Sequence, residues 1–428
     1  MTEKIAKPQL RFAGFDDTWE QRKFDEVFDC TIPNNTLSRA ELNYESGSVR
    51  NIHYGDILIK YGSVVDVQND EIPFATGKSS DDFKGALLQD GDIIIADTAE
   101  DETTGKACEI GNSQGLDVVS GLHTMVCRPR NKMALGYLGY YLNSDAYHHQ
   151  LLPLMQGIKV LSLSRTNVQK TMVCYPKSKA EQQLIADCFR NLDNLITLHQ
   201  RKYDKLTNVK KSMLEKMFPK NGSNVPEIRF KGFSDAWEQR KLGDIVERVV
   251  RKNTNNESSL PLTISAQYGL VDQITYFNNR VASRDVSNYY LVLNGEFAYN
   301  KSTSDGFPFG AVKRLDLYEK GVLSTLYIVF SIKNQSEIDS DYLTVFFDTD
   351  RWHKGVSERA AEGARNHGLL NISADDFFDI DIFLPVHKEE QVVIGSYLRH
   401  LDNLITLHQR ELEKLKNLKK ACLEKMFV

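Results

Sequence analysis

The chain has 428 residues, of which 41% are hydrophobic and 26% charged, values typical of a soluble globular protein with two to three domains. No apolar run reaches the roughly 18 to 20 residues of a transmembrane helix, and the opening residues lack the apolar core of a secretory signal. The six cysteines are scattered without a C-x-x-C pair, which suits a reducing compartment. These features argue against a membrane-spanning protein and a disulfide scaffold, and we expect a cytoplasmic protein.

Three phrases of the sequence occur twice. One phrase of 16 residues recurs 218 residues later, and two shorter phrases recur 209 residues later. The copies are PQLRFAGFDDTWEQRK at 8–23 and PEIRFKGFSDAWEQRK at 226–241, LDNLITLHQR at 192–201 and 401–410, and EKMF at 215–218 and 424–427. The segments between these phrases hardly match. We call the repeated phrases the frame and the divergent segments between them the variable segments. A repeated frame around variable segments is typical of two related binding modules on a pseudo-symmetric scaffold.

In chain order, the repeats predict six segments. They are a lead-in at 1–23, a first variable segment at 24–179, a long helix at 180–218, a linker and second lead-in at 219–241, a second variable segment at 242–388, and a second long helix at 389–428. Short strands are predicted at 91–96, 124–127, 295–299 and 326–330, and helices at 135–152 and 340–355. The predicted fold class is α+β, with two mixed α/β domains joined by two long antiparallel helices.

The two long helices are predicted by apolar residues three and four positions apart, at positions that include Leu184 and Leu195. Gly395 alone interrupts the second helix. At 1.5 Å per residue, each helix would span roughly 55–60 Å, far beyond an average helix. Each helix could pack on its own domain, but the identical decapeptide favours a coiled coil in which the two helices pack on each other.

The charge is unevenly distributed between frame and variable segments. The net charge of the whole chain is −5; residues 24–175 carry −8, residues 242–384 carry −6, and the rest carries +9. Acidic variable segments disfavour nucleic-acid binding, unless local basic loops and basic partners supply the contacts. The charge alone therefore argues slightly against a role in reading DNA.

Catalytic signatures are absent from the sequence. Gly77-Lys78-Ser79 lacks the upstream glycine of a phosphate-binding loop, and no H-E-x-x-H or paired Cys/His spacing indicates zinc. The Asn/Asp-Pro-Pro-aromatic tetrapeptide expected of a methyltransferase acting on an exocyclic base amine is also missing. We therefore expect a chain without catalytic residues, a metal site or a cofactor of its own.

Polar, basic loops at matching positions are the best candidates for a binding site. Each of the two main loops follows a predicted helix, precedes a predicted strand and combines arginine with asparagine, whose side chains match guanine and adenine edges. The candidates are Lys159, Arg165, Asn167 and Lys170 in the first half, Arg359, Arg365, Asn366 and His367 in the second, and, from weaker loops, Lys78, Lys106, Lys301 and Ser302. Ordinary solvated loops would have similar composition, and the repeat is what favours a binding role.

The whole pattern resembles the DNA-specificity subunit of type I restriction–modification systems. The resemblance rests on R-F-x-G-F-x-x-x-W-E-Q-R-K at 11–23 and 229–241, on Glu181-Gln182 and Glu390-Gln391 at the starts of the helices, and on the two repeated helix phrases. It covers nearly the whole chain. It implies that the variable segments are two target-recognition domains, each reading one half of a split, asymmetric DNA site.

The resemblance also implies partners. The helices would fix the gap between the half-sites and dock two methyltransferase subunits that bind S-adenosylmethionine, and restriction subunits that use ATP and Mg²⁺ would join outside them. The complex would direct adenine methylation or restriction. Two alternatives stay open on the sequence: a coiled-coil scaffold that pairs two proteins and reads no DNA, and an autonomous methyltransferase, which the missing motifs disfavour.

Overall fold

The computed structural model describes residues 7–220, 222–265, 268–304, 306–360 and 368–428. The chain forms two compact units, one built from residues 1–200 with 410–428 and the other from 201–409. Each unit holds one lead-in, one variable segment, the first half of the long helix that follows it and the second half of the other long helix.

The first unit contains short strands and short helices ahead of one long helix. Its strands are β1 (Glu20–Lys23), β2 (Phe28–Asp29), β3 (Leu42–Asn43), β4 (Val49–Ile52), β5 (Val64–Asp66), β6 (Phe74–Ala75), β7 (Ile93–Ala96), β8 (Thr98–Ala99), β9 (Ala107–Gly111), β10 (Asp117–Ser120), β11 (Thr124–Pro129), β12 (Leu161–Ser162) and β13 (Met172–Tyr175). Its helices are α1 (Phe24–Val27), α2 (Tyr54–Ile59), α3 (Tyr137–Leu142), α4 (Asp145–His148), α5 (Arg165–Val168) and the first half of α6 (Lys179–Lys216).

Two main sheets build the first unit, with strand orders β2-β11-β7-β9-β5 and β10-β4-β6-β3. Strand β7 is buried on both faces. Ile93 and Ile95 pack in the core that contains Trp19, while Ile94 and Ala96 pack in a second core on the other side. This alternation explains why the strand reads as a continuous apolar run.

The second unit contains ten named strands among its described residues. They are β14 (Glu238–Lys241), β15 (Val246–Arg248), β16 (Leu262–Ser265), β17 (Gly269–Asp272), β18 (Tyr290–Leu293), β19 (Phe297–Asn300), β20 (Ala311–Arg314), β21 (Lys320–Leu323), β22 (Ile328–Ile332) and β23 (Asp381–Leu384). Its helices are α7 (Leu242–Ile245), α8 (Gln273–Phe277), α9 (Ser340–Phe346), α10 (His353–Arg359), α11 (Ala374–Phe378) and the first half of α12 (Lys388–Lys425).

The main sheet of the second unit, β15-β22-β19-β20, repeats the order β2-β11-β7-β9 of the first unit. Strand β19 alternates like β7, because Phe297 and Tyr299 enter one core and Ala298 enters another. The predicted strands at 91–96, 124–127, 295–299 and 326–330 correspond to β7, β11, β19 and β22. The two variable segments therefore share one plan beneath divergent sequences.

Two predicted helices of the variable segments are broken in the structure. The region 135–152 forms α3 and α4 with a break at Asn143, whose side chain bonds the backbone of Ala107 in β9 through both its oxygen and its nitrogen. A side chain that pairs with backbone in this way ends a helix that apolar spacing alone would continue. The region 340–355 likewise ends one helix at Phe346 and begins another at His353.

Each lead-in strand pairs with the strand that precedes a long helix. β1 pairs antiparallel with β13, and β14 pairs antiparallel with β23, in the same register. The phenylalanine of EKMF enters the core beside the lead-in tryptophan in both units. Phe427 lies 6.5 Å from Trp19 between ring centroids, and Phe218 lies 6.0 Å from Trp237. The repeated phrases thus build the same aromatic core twice.

The buried face of α6 agrees with the predicted one in part: Leu192 and, directly after the helix, Met217 are buried as predicted. Leu184 and Leu195 are 44% and 43% exposed, whereas Ile185 and Phe189 are buried. Glu181 is also buried, because Arg11 of the lead-in neutralises its carboxylate. The burial of Glu181 depends on this distant partner, and apolar spacing alone could not reveal it.

Within the first unit, the two helix segments run antiparallel. Phe189 stacks on Phe427 and Asp193 pairs with Lys419, so partner numbers fall as residue numbers rise.

In the second unit, α12 passes close to α9 at Gly395. A Cβ on Gly395 would lie 2.6 Å from the backbone nitrogen of Tyr342, so only glycine fits at this position. Among the described residues, no helix has the length and apolarity needed to cross a membrane.

Candidate nucleic-acid interface

In the first unit, residues 156–162 form a hairpin that exposes Lys159. Gln156 and Ser162 exchange backbone hydrogen bonds of 3.0 and 2.8 Å, and β12 pairs with β8. Gly157 has φ of +124°, and a Cβ there would lie 1.9 Å from the carbonyl oxygen of Val160. Only glycine fits this position, so the hairpin depends on it. Beside Lys159, the side chain of Ile158 is 100% exposed.

The other candidates of this loop lie directly after the hairpin. Arg165 begins α5, and the Ser164 hydroxyl caps the helix by accepting the backbone N–H of Asn167. Arg165 and Asn167 are half-buried, and Lys170 is exposed before β13. Lys159 therefore lies in the hairpin turn before β12, and Arg165, Asn167 and Lys170 lie between β12 and β13.

The two weaker lysine candidates differ in exposure. Lys78 is exposed in the turn after β6. Lys106 is half-buried, and its ammonium donates to the carbonyl oxygen of Leu58 at 2.9 Å, at the end of α2. Burial lowers the pKa of Lys106. Lys78 is thus presented to solvent, while Lys106 is held against the unit.

In the second unit, the loop after β19 pairs with the segment at 368–370. Ser302 forms a bridge with Leu369, and the backbone N–H of Thr303 donates to the Gly368 carbonyl at 2.6 Å. The ammonium of Lys301 donates to the carbonyl of Ile372 at 3.3 Å, and Ser302 is exposed. The candidates Arg365, Asn366 and His367 lie outside the described residues, directly before Gly368 in the chain.

Arg359 has an intramolecular partner. It ends α10, and its guanidinium donates to the Asp379 carboxylate at 2.6 and 3.1 Å. An arginine already paired with a carboxylate must exchange that partner before it can contact a base.

Among the described residues, the two candidate loops share one pairing. In each, the loop after the doubly buried strand pairs with the candidate loop: β8 with β12 in the first unit, and Ser302 with Leu369 in the second. This pairing joins Lys301 and Ser302 to the end of the second candidate loop. Sequence reasoning did not predict it, because short strands of two residues leave no periodic signal.

Exposed aromatic side chains are candidates that the sequence reasoning missed. Tyr268, Tyr276 and Phe277 are exposed at β17 and α8, and the rings of Tyr276 and Phe277 lie 5.0 Å apart. Exposed aromatic rings are suited to stacking on bases. The available signal was the run Y-F-N-N-R at 276–280, an aromatic pair followed by amide and basic side chains.

A half-buried ionic network lies in the second unit. The Lys210 ammonium of α6 contacts Asp402 of α12 at 2.6 Å and Asp348 at 3.1 Å, and Lys313 contacts Asp348 at 2.8 Å. Burial would raise the pKa of the Asp348 carboxyl, but the two lysine charges outweigh burial and hold that pKa below its ordinary value. These residues line a cavity of about 620 Å³. These ionic contacts connect the variable segment of this unit to both helix segments.

Comparison with known proteins agrees with this architecture. Residues 16–208 and 234–417 match the family described as type I restriction modification DNA specificity domain. The MjaX type I restriction enzyme specificity subunit of Methanocaldococcus jannaschii is 24% identical, over 94% of this chain and 91% of that protein. The type I restriction–modification S subunit of M. genitalium has a TM-score of 0.61 at 12% identity, covering 99% of both chains. The HsdS subunit of Thermoanaerobacter tengcongensis gives a TM-score of 0.42 at 16% identity, covering 96% of both chains.

The family match covers most of the chain in two copies, and it falls on the two halves that the internal repeat defines. The chain belongs to the type I restriction–modification DNA-specificity family. Specificity subunits are the non-catalytic, DNA-recognition subunits of these systems.

Proposed function

We propose that this chain reads a bipartite, asymmetric DNA site, one half with each variable segment. The observation that carries the proposal is a sheet order built twice, with the candidate loops of the two units divergent in sequence. A shared scaffold with two different loops suits two different half-sites, whose spacing is set by protein geometry. The methyltransferase partners would supply S-adenosylmethionine, and restriction subunits would supply the ATP- and Mg²⁺-dependent steps.

Exchanging one variable segment tests the assignment of half-sites. Replacing residues 24–175 by the corresponding segment of another specificity subunit is expected to change one half of the methylated motif and leave the other half intact. On a finer scale, Arg165→Ala is expected to weaken one half-site by roughly 1–3 kcal/mol if the guanidinium contacts a base edge. Equal loss of affinity at both half-sites would contradict this assignment, because it would indicate that the substitution impairs folding or assembly of the complex.

Two equivalent leucines support the docking of two identical partners. Leu198 and Leu407 occupy the same position in the two identical decapeptides, and their side chains are 46% and 52% exposed. An exposed apolar residue kept in both copies is suited to a protein interface. We infer that the decapeptides dock one methyltransferase subunit each. Leu198→Asp is expected to release one of the two, and Leu407→Asp the other, as measured by the mass of the purified complex.

The long helices are the proposed spacer between the half-sites. Each has 38 residues and is therefore about 57 Å long. Inserting four residues after Thr207 is expected to lengthen α6 by about 6 Å and to widen the tolerated gap by about two base pairs. A mutant that still demands the original gap would contradict the role of spacer.

A further inference from the structure

All six cysteines of the chain lie in the first unit, and two of them face each other. Cys30 directly follows β2, and Cys127 lies in β11, the strand that pairs with β2. In this antiparallel register Asp29 is opposite Arg128, so the next pair along the strands is Cys30 with Cys127. Their Sγ atoms are 3.1 Å apart. Both are free thiols, and both are buried.

This arrangement places the two thiols where a disulfide can form within the sheet. Directly opposite residues of an antiparallel pair have Cα atoms about 4.5–5.5 Å apart, within the range of about 4.4–6.8 Å that disulfides span. In the second unit, the residues in the same register are Arg248 and Phe330. The thiol pair is therefore a feature of the first unit and does not belong to the plan that both units share.

The two thiols differ in acidity. A hydrogen bond from the Cys127 thiol lowers the pKa of Cys30 against the opposing effect of burial, and the positive charge of Arg165 lowers it further. Burial raises the pKa of Cys127 well above its ordinary value. Burial also raises the pKa of the other four cysteines, which are Cys108, Cys174, Cys188 and Cys422. Since the thiolate is the form that reacts with oxidants, Cys30 is the sulfur that reacts first and Cys127 the sulfur that completes the disulfide.

Cys30 is also the thiol that a small oxidant reaches first. β2 has two residues and lies at the edge of the five-stranded sheet, whereas β11 lies inside it. The residue after Cys30, Thr31, is exposed. A short edge strand opens at a lower free energy than the interior of a sheet, so local opening at β2 exposes the Cys30 sulfur while the rest of the unit stays folded.

The thiol pair shares a core with the helix that carries a candidate DNA contact. Val168 of α5 is buried in the same hydrophobic core as Cys30 and Cys127. Arg165 begins α5, is half-buried and acts through its charge on both thiols. Among the described residues, no carboxylate forms an ion pair with Arg165. The negative charge of a Cys30 thiolate therefore attracts the guanidinium without a competing anion, and a disulfide removes that attraction.

We propose that Cys30 and Cys127 are a site of reversible oxidation by hydroperoxides, and that their disulfide weakens the reading of the first half-site through Arg165. The first half-site is the one read by the first unit. This second part rests on the proposed function, in which Arg165 contacts that half-site. A guanidinium that is no longer held in place must be ordered when DNA binds, which lowers the affinity.

The oxidation proceeds in two balanced steps. The Cys30 thiolate attacks one oxygen of hydrogen peroxide, the O–O bond breaks, and a sulfenic acid and hydroxide form. The Cys127 sulfur then attacks the sulfenic sulfur, the S–S bond forms, and the sulfenic oxygen leaves with the Cys127 proton as water. The two thiols lose two electrons in total, and the peroxide accepts them.

Peroxide treatment of the full chain in complex with its methyltransferase subunits tests the oxidation. The remaining thiols are blocked with N-ethylmaleimide, and the peptides are analysed by mass spectrometry without reduction. We expect a linked peptide pair that joins Cys30 to Cys127 and disappears after treatment with dithiothreitol. Absence of this link under conditions that oxidise free glutathione would overturn the proposal.

The effect on reading is measured with three DNA duplexes: a matched site, one altered in the first half-site and one altered in the second. We expect peroxide to lower the discrimination at the first half-site by about threefold and to leave the second unchanged. Cys30→Ser removes only the reacting thiol and should abolish the response. The matched control Cys174→Ser removes a buried thiol outside the pair and should respond like the wild type. In Arg165→Ala the link should still form, without a further change in discrimination.

The outcomes separate the explanations. A reduced wild-type complex that discriminates at neither half-site would contradict the proposed function, and the peptide link would still decide whether the thiol pair is oxidised. A link that forms without changing the discrimination at the first half-site would overturn the role of Arg165. An equal response of wild type and Cys30→Ser would overturn it as well, because oxidation elsewhere would then be the cause. If Cys30→Ser impairs folding, oxidised wild type before and after dithiothreitol provides the same comparison.

Discussion

Arg229 and Glu390 form a buried two-point ion pair, with Nε–Oε1 and Nη2–Oε2 distances of 2.6 and 2.8 Å. Arg11 and Glu181 form the same pair in the first unit, at 2.6 and 2.9 Å. Each pair ties a lead-in to the start of the long helix that follows it by about 160 to 170 residues. Two charged residues that lie far apart in the sequence thus connect the beginning of each unit to its long helix.

Removing one charge of this pair is expected to destabilise its own unit. Glu390→Gln leaves Arg229 without an anionic partner, and breaking a buried ion pair in this way costs about 3–5 kcal/mol. Native-state hydrogen exchange measures the loss, with amides of the second unit exchanging faster. Amides of the first unit serve as the internal control, and equal acceleration in both units would contradict a local role.

The two lead-in tryptophans are expected to respond differently to the same substitution. The Trp19 indole donates to the Glu181 carboxylate at 3.3 Å, whereas the buried Trp237 nitrogen has no hydrogen-bond partner among the described residues. Tryptophan to phenylalanine removes similar volume at both sites. Trp19→Phe is therefore expected to cost about 1–2 kcal/mol more than Trp237→Phe, since only the first loses a hydrogen bond to a charged group. Chemical denaturation followed by unit-specific exchange measures the difference, and equal costs would refute it.

Two lysines at equivalent helix positions are expected to contribute unequally. Lys210 bridges Asp402 and the half-buried Asp348, whereas Lys419 pairs with Asp193, whose other oxygen accepts the Tyr140 hydroxyl at 2.8 Å. Lys210→Met should lower the free energy of unfolding by about 2–3 kcal/mol, because the half-buried Asp348 keeps one cation fewer. Lys419→Met should cost about 1 kcal/mol or less, because that pair is partly exposed. Thermal unfolding of both variants checks the ranking, and the reverse ranking would contradict it.

The stability of the first unit is expected to fall as pH rises from about 4.5 to 7. Burial raises the pKa of the Glu109 carboxyl from its ordinary 4.5 to about 7, although the Gly139 N–H donates to it at 2.9 Å. In this window the unfolded chain has released the proton that the folded chain keeps. The free energy of unfolding therefore falls by about 3 kcal/mol at most by pH 7. Glu109→Gln should remove this dependence and be more stable than wild type above pH 7. Unfolding measured from pH 4.5 to 8 tests this, and parallel pH profiles would contradict it.

The sequence predicted the repeated frame, the two long helices and the strands β7, β11, β19 and β22, because these depend on local pattern and on identity between copies. It did not predict that Glu181 of α6 is buried, since that depends on its distant partner Arg11. It missed the pairing of Ser302 with Leu369, and it gave no hint that the Lys106 ammonium binds the Leu58 carbonyl. These features arise from contacts between segments far apart in the chain, where apolar spacing carries no information.

The candidate DNA-contacting residues remain predictions. Lys159 and Lys78 are exposed as the prediction requires, while Arg359 is paired with Asp379. Base contacts depend on loop geometry in the bound state, which composition cannot specify. The pairing that both candidate loops share, β8 with β12 and Ser302 with Leu369, in contrast, follows from the strand that precedes it in each sheet.

The most direct test of the central claim is a methylome. This chain is co-expressed with its methyltransferase partner in a host that lacks adenine methylation, and the genomic DNA is sequenced for modified bases. The account predicts a split, asymmetric motif that is methylated only when this chain is present. A soluble complex that modifies no DNA, or modification that persists without this chain, would contradict it.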